Sequence, residues 1–496
     1  MSILTMTRSL MFLAVALASA FNILQADEQA KPYNVLFIAV DDLRTELNCY
    51  GADHIKSPHM DRLAAEGIRF SAAHVQQSIC MASRASIMSG IRPERYGIFT
   101  GESVTDMMPD VLTLNHFFSQ HGYTISSCGK IYHYGEDTER QFGNEFMEPE
   151  ATWIGRGFVT DEAIQIREKN PDQYGPAYEC GDVEDEAYQD GANTALAVKK
   201  LAELNESGKP FFMAVGLTKP HLPFVAPKKY WDLYPEKSIQ LSELPKRPEN
   251  SLKYTVRSAG ELTNYAGMPE KFSDIDDETA RTLRRGYYAC VSYADAQVGK
   301  LLDQLDRLGL RDSTIVILWG DHGYKLGDYA SWCKWSNMSM DTNIPLIVSV
   351  PNGKQGVVCH QMVEGVDIYP TLADLCGLKQ PGHLEGKSLK PLLNNPGLKS
   401  DATKYAYTIW PDQRWRYDRT VLGYSVKSER FNYVEWVKLS TREVVGRELY
   451  DHASDPQETK NVIGNPEYSN VVKQLARQCQ IRKEATDHDH AFKKLR

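Results

Sequence analysis

The run N-V-L-F-I-A-V at Asn34 to Val40 has no polar residue after its first position and stops abruptly at Asp41-Asp42. A strand with one wet face alternates apolar and polar residues. An unbroken run of this length predicts a strand buried on both faces, at home in a sheet covered on two sides. The same grammar recurs down the chain. F-F-M-A-V-G at Phe211 to Gly216 runs into Lys219-Pro220-His221, and Thr314 to Trp319 runs into Gly320-Asp321-His322-Gly323. Tyr123 to Ser127 delivers Cys128-Gly129-Lys130 and then His133, and Pro345 to Val350 is a further strand.

Helical patterns fill the intervals. Ser57-Pro58 offers an N-cap and a first-turn proline ahead of Met60, Leu63 and Ala64, with Gly67 as the stop. Leu112 to His121 stops at Gly122, and Glu186 to Asn205 has helical period. Asp276 to Leu308 carries the apolar stripe Leu283, Tyr287, Cys290, Val291, Ala294, Val298, Leu301 and Leu305. Asp367 caps another helix. Strand and helix in alternation predict an α/β fold, a large sheet with helices on both faces. Ligands in such sheets bind beyond the carboxyl ends of the strands. Every polar group named above follows a strand.

At 496 residues the chain supports one large domain and a smaller one. Residues 27–400 form the first. Beyond about 400 the pattern changes to short antiparallel strands at Gly423 to Ser428, Phe431 to Lys438 and Glu448 to Tyr450, followed by a helix at Tyr468 to Arg477. This predicts a small α+β C-terminal subdomain over 401–496. Trp410, Arg414, Trp415 and Arg416 sit at the junction, either lining a pocket mouth or packing one domain on the other. Tyr134 to Asp185 is polar, aromatic and irregular, and reads as a substrate-facing insertion or as plain surface. Leu222 to Lys271 is rich in proline and reads as an excursion over the surface.

The first 26 residues have the build of a signal peptide: Arg8, the apolar run Leu10 to Ala18, and small residues suited to cleavage after Ala20 or Ala26. The run is too short to span a bilayer comfortably and no second one follows, so the expectation is an exported protein, periplasmic or secreted, without stable membrane insertion. A net charge of −9 argues against nucleic acid as a partner. Nine scattered cysteines without a C-x-x-C imply neither a zinc site nor a dense disulfide frame. Cys290 and Cys376 fall in apolar helical patterns and read as core.

Three constellations carry chemistry. Cys80-Met81-Ala82-Ser83-Arg84 follows a strand at Ile68 to Val75 and opens a helical segment, Ala85 to Met88, that stops at Gly90. The start of a helix favours an anion, although a lone cysteine there also fits a buried structural role. Asp41, Asp42, Asp321 and His322 offer three carboxylates and one imidazole, an oxygen-rich cage for a hard divalent cation. Calcium or magnesium suits the carboxylates, and the single nitrogen also admits zinc. Arg84, Lys130, His133, His221 and Lys334 supply positive charge and acid–base groups for an anionic substrate. Each alone fits a solvated or structural role; together, each after a strand, they favour a site.

The pattern C-x-A-S-R resembles the signature of type I sulfatases, C-x-[P/A]-S-R, with Ala82 where the commoner form has proline. V-D-D, G-K-x-x-H, K-P-H, D-H-G and a late lysine follow in the family's order. The stretches N-V-L-F-I-A-V-D-D-L-R, K-P-F-F-M-A-V-G-L-T-K-P-H-L-P-F and S-Y-A-D-A-Q-V-G-K-L-L resemble the iduronate-2-sulfatase branch most, as does His322, where many sulfatases have asparagine. The resemblance runs from Asn34 to about Asn461 and is weakest in the two irregular stretches. It implies an alkaline-phosphatase-like fold and a sulfuric ester hydrolase acting on a sulfated saccharide. It implies that Cys80 is oxidised by a formylglycine-generating maturase to Cα-formylglycine, whose hydrate is the nucleophile. It implies one Ca2+ ion held by Asp41, Asp42, Asp321, His322 and residue 80. Arg84 and Lys130 then correspond to groups that hold and activate the hydrate. His133 corresponds to the base that later collapses it, and His221 and Lys334 to the pair that binds sulfate and protonates the leaving group.

Overall fold

Residues 34–40 pair in parallel with strands on either side, and that central triplet organises the molecule. The computed structural model of the chain describes residues 32–96, 103–133, 135–150, 153, 156–257, 260–400, 404–412 and 421–486. The signal-peptide reading, and Arg414, Trp415 and Arg416, lie outside them.

Among the described residues the main sheet has nine strands. Across it run Val357–Cys359, Ile68–His74, Asn343–Ser349, Thr314–Gly320, Asn34–Val40, Phe211–Leu217, Thr124–Gly129 and Phe146–Met147, while Val363–Glu364 pairs beside Ile68–His74. Asn343–Ser349 runs antiparallel to both its neighbours, and the other pairings are parallel. The register matches Val40 with Leu217 and with Gly320, and Gly129 with Gly216. Four strands therefore end level along one edge, and the polar groups behind them arrive side by side. The mixed sheet covered on both faces is the architecture expected from the alternating pattern.

The run at residues 34–40 is buried at every position because it serves two cores. Val35, Phe37 and Ala39 face Ala85, Phe117, Phe118, Ile368 and Leu372. Leu36, Ile38 and Val40 face Leu201 and the long helix Asp277–Arg307 through Tyr287, Cys290, Val298 and Leu301. Each large side chain fully buried this way contributes about 1.5–3 kcal/mol. The long helix starts as the sequence predicts, with the Asp276 carboxylate accepting from Thr279 N at 2.7 Å.

A second, four-stranded antiparallel sheet comprises Ala406–Pro411, Val421–Lys427, Phe431–Lys438 and Val444–Asp451. The helix Ser469–Thr486 lays Leu475 and Cys479 against Leu422, Val426 and Tyr433. The strand ending in Pro411 escapes a propensity reading, since proline tolerates only an edge or a terminus, and here it occupies the last position of an edge strand. Trp410 is buried among residues of the main core, so it packs rather than lining a pocket.

Three stretches differ from their sequence reading. The helix at the cysteine motif spans Cys80–Ser89, because all ten residues are buried and leave no amphipathic period to detect. The irregular stretch 134–185 contains helices Gly135–Phe142 and Asp161–Lys169, and a strand Tyr178–Gly181 that pairs with Phe224–Pro227. No disulfide joins any of the nine cysteines. Among the described residues no helix is long and apolar enough to cross a membrane.

Candidate active site

The level strand ends bring Asp41, Asp42, Asp321 and His322 into one buried cluster. Asp41 N donates to Leu217 O and Asp321 N to Val40 O, which extends the sheet pairing by one step into the site. Asp42 then turns sharply at φ +59°, and its N–H reaches Asp321 Oδ1 at 2.9 Å. A non-glycine residue in the left-handed region costs on the order of 1–2 kcal/mol, so the surrounding packing enforces this turn. His322 Nδ1 donates to Gly323 O at 2.9 Å. That fixes the tautomer and leaves the Nε2 lone pair aimed inward, 3.3 Å from Asp42 Oδ1 and 3.7 Å from Asp321 Oδ1.

Cys80 begins its helix against this cluster, with Sγ 3.2 Å from His322 Nε2 and 3.6 Å from Lys334 Nζ. One donor atom each from Asp41, Cys80, Asp321 and His322 lie within 4.8 Å of one another, as do those of Asp42, Cys80 and His221. Burial, with Asp41 and Asp321 beside it, pushes Asp42 up to about 6. Burial and the adjoining Asp41 push Asp321 up to about 7. Burial also acts on Asp41, but Lys130 and Arg84 outweigh it and hold that carboxyl well below its usual range. Burial pushes the Cys80 thiol well up, which withholds the thiolate that a cysteine nucleophile requires. Three carboxylates and an inward imidazole lone pair form a donor set that fits a hard divalent cation.

The cationic residues close around this centre. Arg84 is fully buried, donating from Nε to Asp321 Oδ2 at 2.8 Å, from Nη2 to Asp41 Oδ1 at 3.3 Å and from Nη1 to Ile131 O at 3.1 Å. Lys130 Nζ donates to Asp41 Oδ2. Gly129 and Gly216 make room for it: a Cβ on Gly129 would stand 2.0 Å from Gly216 O, and one on Gly216 would stand 2.1 Å from Lys130 O. Lys334 Nζ donates to Asp42 Oδ1 at 2.7 Å, between Cys333 at φ +65° and Trp335 at φ +82°. His221 Nδ1 donates to Leu222 O at 2.5 Å, and its Nε2 lies 3.9 Å from Asp42 Oδ2. Burial, and then Lys130, hold His133 down at about 2, a neutral imidazole. His133, Lys130 and His221 line a cavity of about 680 Å³ together with Glu148, Trp153 and Arg156. Asp41, Asp42, Cys80, Arg84, Lys130, His133, His221, Asp321, His322 and Lys334 thus meet at one place.

Two contributors carry no sequence signal that singles them out. Asp190, in the first turn of Gln189–Ser207, accepts from Thr218 N at 2.9 Å and Lys219 N at 2.7 Å, and so holds the turn that carries His221. An acidic residue in a helix's first turn is common enough to pass as helix stabilisation. Glu261 arrives from the proline-rich excursion, 3.5 Å from His221 Nε2 and 3.6 Å from Lys334 Nζ, with its carboxyl held at about 2 against the effect of burial by those two groups. The loops are also tied to the second sheet. Ser78 Oγ donates to Ser336 O at 2.7 Å, Asn337 Nδ2 to Gly423 O at 3.0 Å, and Lys427 Nζ to Asn337 O at 2.7 Å.

The sequence model of the family described as "Sulfatase" matches residues 33–378, and that of the N-sulphoglucosamine sulphohydrolase C-terminal region matches residues 327–485. The chain is 28% identical to iduronate 2-sulfatase of Homo sapiens, over 94% of this chain and 98% of that protein. It is 30% identical to a sulfatase of Formosa agariphila, over 91% and 87% of the respective chains. Its fold is similar to that of BT4656 in complex with its substrate D-glucosamine-2-N,6-O-disulfate, with a TM-score of 0.73 at 21% identity, covering 93% of this chain and 99% of that one.

Proposed function

The chain belongs to the sulfatase family and is a sulfuric ester hydrolase, and from that premise we propose that it removes sulfate from a sulfated carbohydrate by way of a formylglycine derived from Cys80. The observation that carries this reading is the position of residue 80. It sits at a helix start, within 3.2 Å of an imidazole in a carboxylate cage and 3.6 Å of a lysine ammonium.

Asp41, Asp42, Asp321 and His322 would hold a divalent cation, which we take to be calcium; when bound, it polarises a non-bridging sulfate oxygen. An aldehyde at residue 80 supplies, as its hydrate, two hydroxyls, one to displace the sugar alcohol from sulfur and one to release sulfate afterwards. Arg84 and Lys130 hold that side chain through charge-assisted hydrogen bonds from a dry wall. Lys334 and His221 face the remaining side, where they meet the sulfate oxygens and the Lys334 ammonium gives a proton to the departing alkoxide. Sugar alkoxides leave poorly, so that proton transfer is worth about 10²–10⁴ in rate. His133, kept neutral, accepts the proton from the second hydroxyl.

Relatedness to human iduronate 2-sulfatase makes a 2-sulfated uronate the first substrate to try. The apolar segment Leu10 to Ala18 supports export to the periplasm or beyond. The test is mass spectrometry of the peptide containing residue 80 from protein produced with a maturase, together with sulfate release from defined sulfated saccharides. Thiol converted to aldehyde, and activity that depends on the conversion, are expected. Full sulfatase activity with an unmodified thiol would sink the mechanism, and a preference for phosphate over sulfate on matched aryl esters would sink the substrate class.

A further inference from the structure

Glu261 lies in the short turn Gly260–Asn264 and is not one of the cage carboxylates. Two cations and an imidazole converge on it: Lys334 Nζ at 3.6 Å, Arg156 Nη1 at 3.3 Å, and His221 Nε2 at 3.5 Å, the ring being kept neutral by burial, which lowers its pKa to about 3. Its side chain is 13% exposed. The turn is seated by Leu262, which is fully buried, and by Gly260 at φ +60°, where a Cβ would stand 3.0 Å from Trp332 O and 3.2 Å from Cys333 Sγ. Glu261 is thereby pressed against the segment that carries Lys334. On its other side, Arg156 stacks over Tyr174 at 3.8 Å from the ring centroid.

A carboxylate beside an ammonium and an imidazole that must meet a sulfate weakens their pull on that anion, so sulfate binding does not explain it. Orientation does. His221 has committed Nδ1 to Leu222 O, so its ring has one nitrogen left to work with, and that nitrogen faces Glu261. Lys334 has a flexible stem whose ammonium can turn wholly toward Asp42 unless something draws it outward. Resting on the sulfatase reading above, we propose that Glu261 is a positioning residue that aims His221 Nε2 and Lys334 Nζ at the leaving-group oxygen and ties both, through Arg156, to the wall of the substrate cavity. Glu261 itself exchanges no proton with substrate: the proton passes from the Lys334 ammonium to the alkoxide as the S–O bond breaks.

The test uses Glu261→Gln and Glu261→Asp in matured enzyme with two probes, phenyl sulfate and 4-nitrophenyl sulfate. The nitrophenolate leaves without help, whereas phenolate depends more on protonation. In Glu261→Gln, kcat for phenyl sulfate should fall about tenfold or more while kcat for 4-nitrophenyl sulfate changes less than about threefold, with KM little altered. Glu261→Asp should recover part of the phenyl sulfate rate. In a His221→Ala background, Glu261→Gln should cost less than it does in the wild-type enzyme, since only the part exerted through Lys334 remains. An equal loss on both esters, a change in KM alone, no change at all, or a full additional loss in the His221→Ala background overturns the inference. Should Glu261→Gln fail to fold, Glu261→Asp carries the same comparison. Wild-type enzyme that releases sulfate from neither ester overturns the sulfatase reading itself, and the inference with it.

Discussion

Lys334 Nζ lies 2.7 Å from Asp42 Oδ1, a buried contact between residues 292 positions apart in the chain. Asp42 gains its main positive neighbour from Lys334, and Lys334 is held in turn within 3.6 Å of Cys80 Sγ. Cys80 and the carboxylate cage are thus linked by one ammonium.

Replacing Lys334 with Ala should lower kcat by about a hundredfold or more, the usual cost of removing a preorganised group that meets developing charge. Steady-state kinetics on any accepted sulfate ester checks it. Lys334→Arg should recover little, because a guanidinium is too broad for a site matched to a compact ammonium.

Cys80→Ala should abolish sulfate release and leave the fold intact. The side chain is small and the helix around it is fully buried, so unfolding stability should change by about 1 kcal/mol. Thermal unfolding and activity assays check the two halves. Because Cys80 is only 2% exposed, adding a maturase to folded, unconverted protein should yield no aldehyde, whereas co-production should.

Chelation should remove activity, and calcium should restore it better than magnesium or zinc. A cation held by the cage would bind only the folded chain, so an ion at a hundred times its dissociation constant should add about 2.7 kcal/mol of stability. Asp321→Asn should erase the calcium-dependent rise in unfolding temperature as well as activity.

The buried Lys427 predicts a pH effect far from the chemistry. Burial lowers its pKa from 10.5 to about 8, with Glu458 and Asp341 only partly offsetting the cost. Between about 8 and 10.5 the unfolded chain holds a proton that the folded chain has released, so this group makes stability rise with pH in that window. Lys427→Met should cancel that rise, amounting to about 3 kcal/mol, and urea unfolding of both proteins at pH 8 and pH 10 measures the difference.

Much of this molecule was legible in its chain. The apolar runs at residues 34–40, 211–217 and 314–320 can only be strands buried on both faces, and the acidic or basic groups behind them fall at the carboxyl edge of the sheet by necessity. The helix at 277–307 announced itself through its stripe and its Asp276 cap. The helix at 80–89 was legible only in part, because a fully buried helix has no polar face to give a period. The strand at 406–411 was hidden by its terminal proline.

The residue types and their order along the chain determined the fold class, the carboxylate cage and the placement of Cys80 at a helix start, since each follows from local patterning. Tertiary structure alone decided what gathers around them. Glu261 belongs to a stretch with no periodicity, and Asp190 looks like an ordinary helix-stabilising acid. Both matter because long-range packing delivers them to His221. Tertiary structure also settled that Asn337 is gripped by the second sheet through Gly423 and Lys427, which fixes the loop carrying Lys334. Contacts between residues scores of positions apart depend on sheet register and on the course of irregular loops, and neither is written in local hydrophobic pattern.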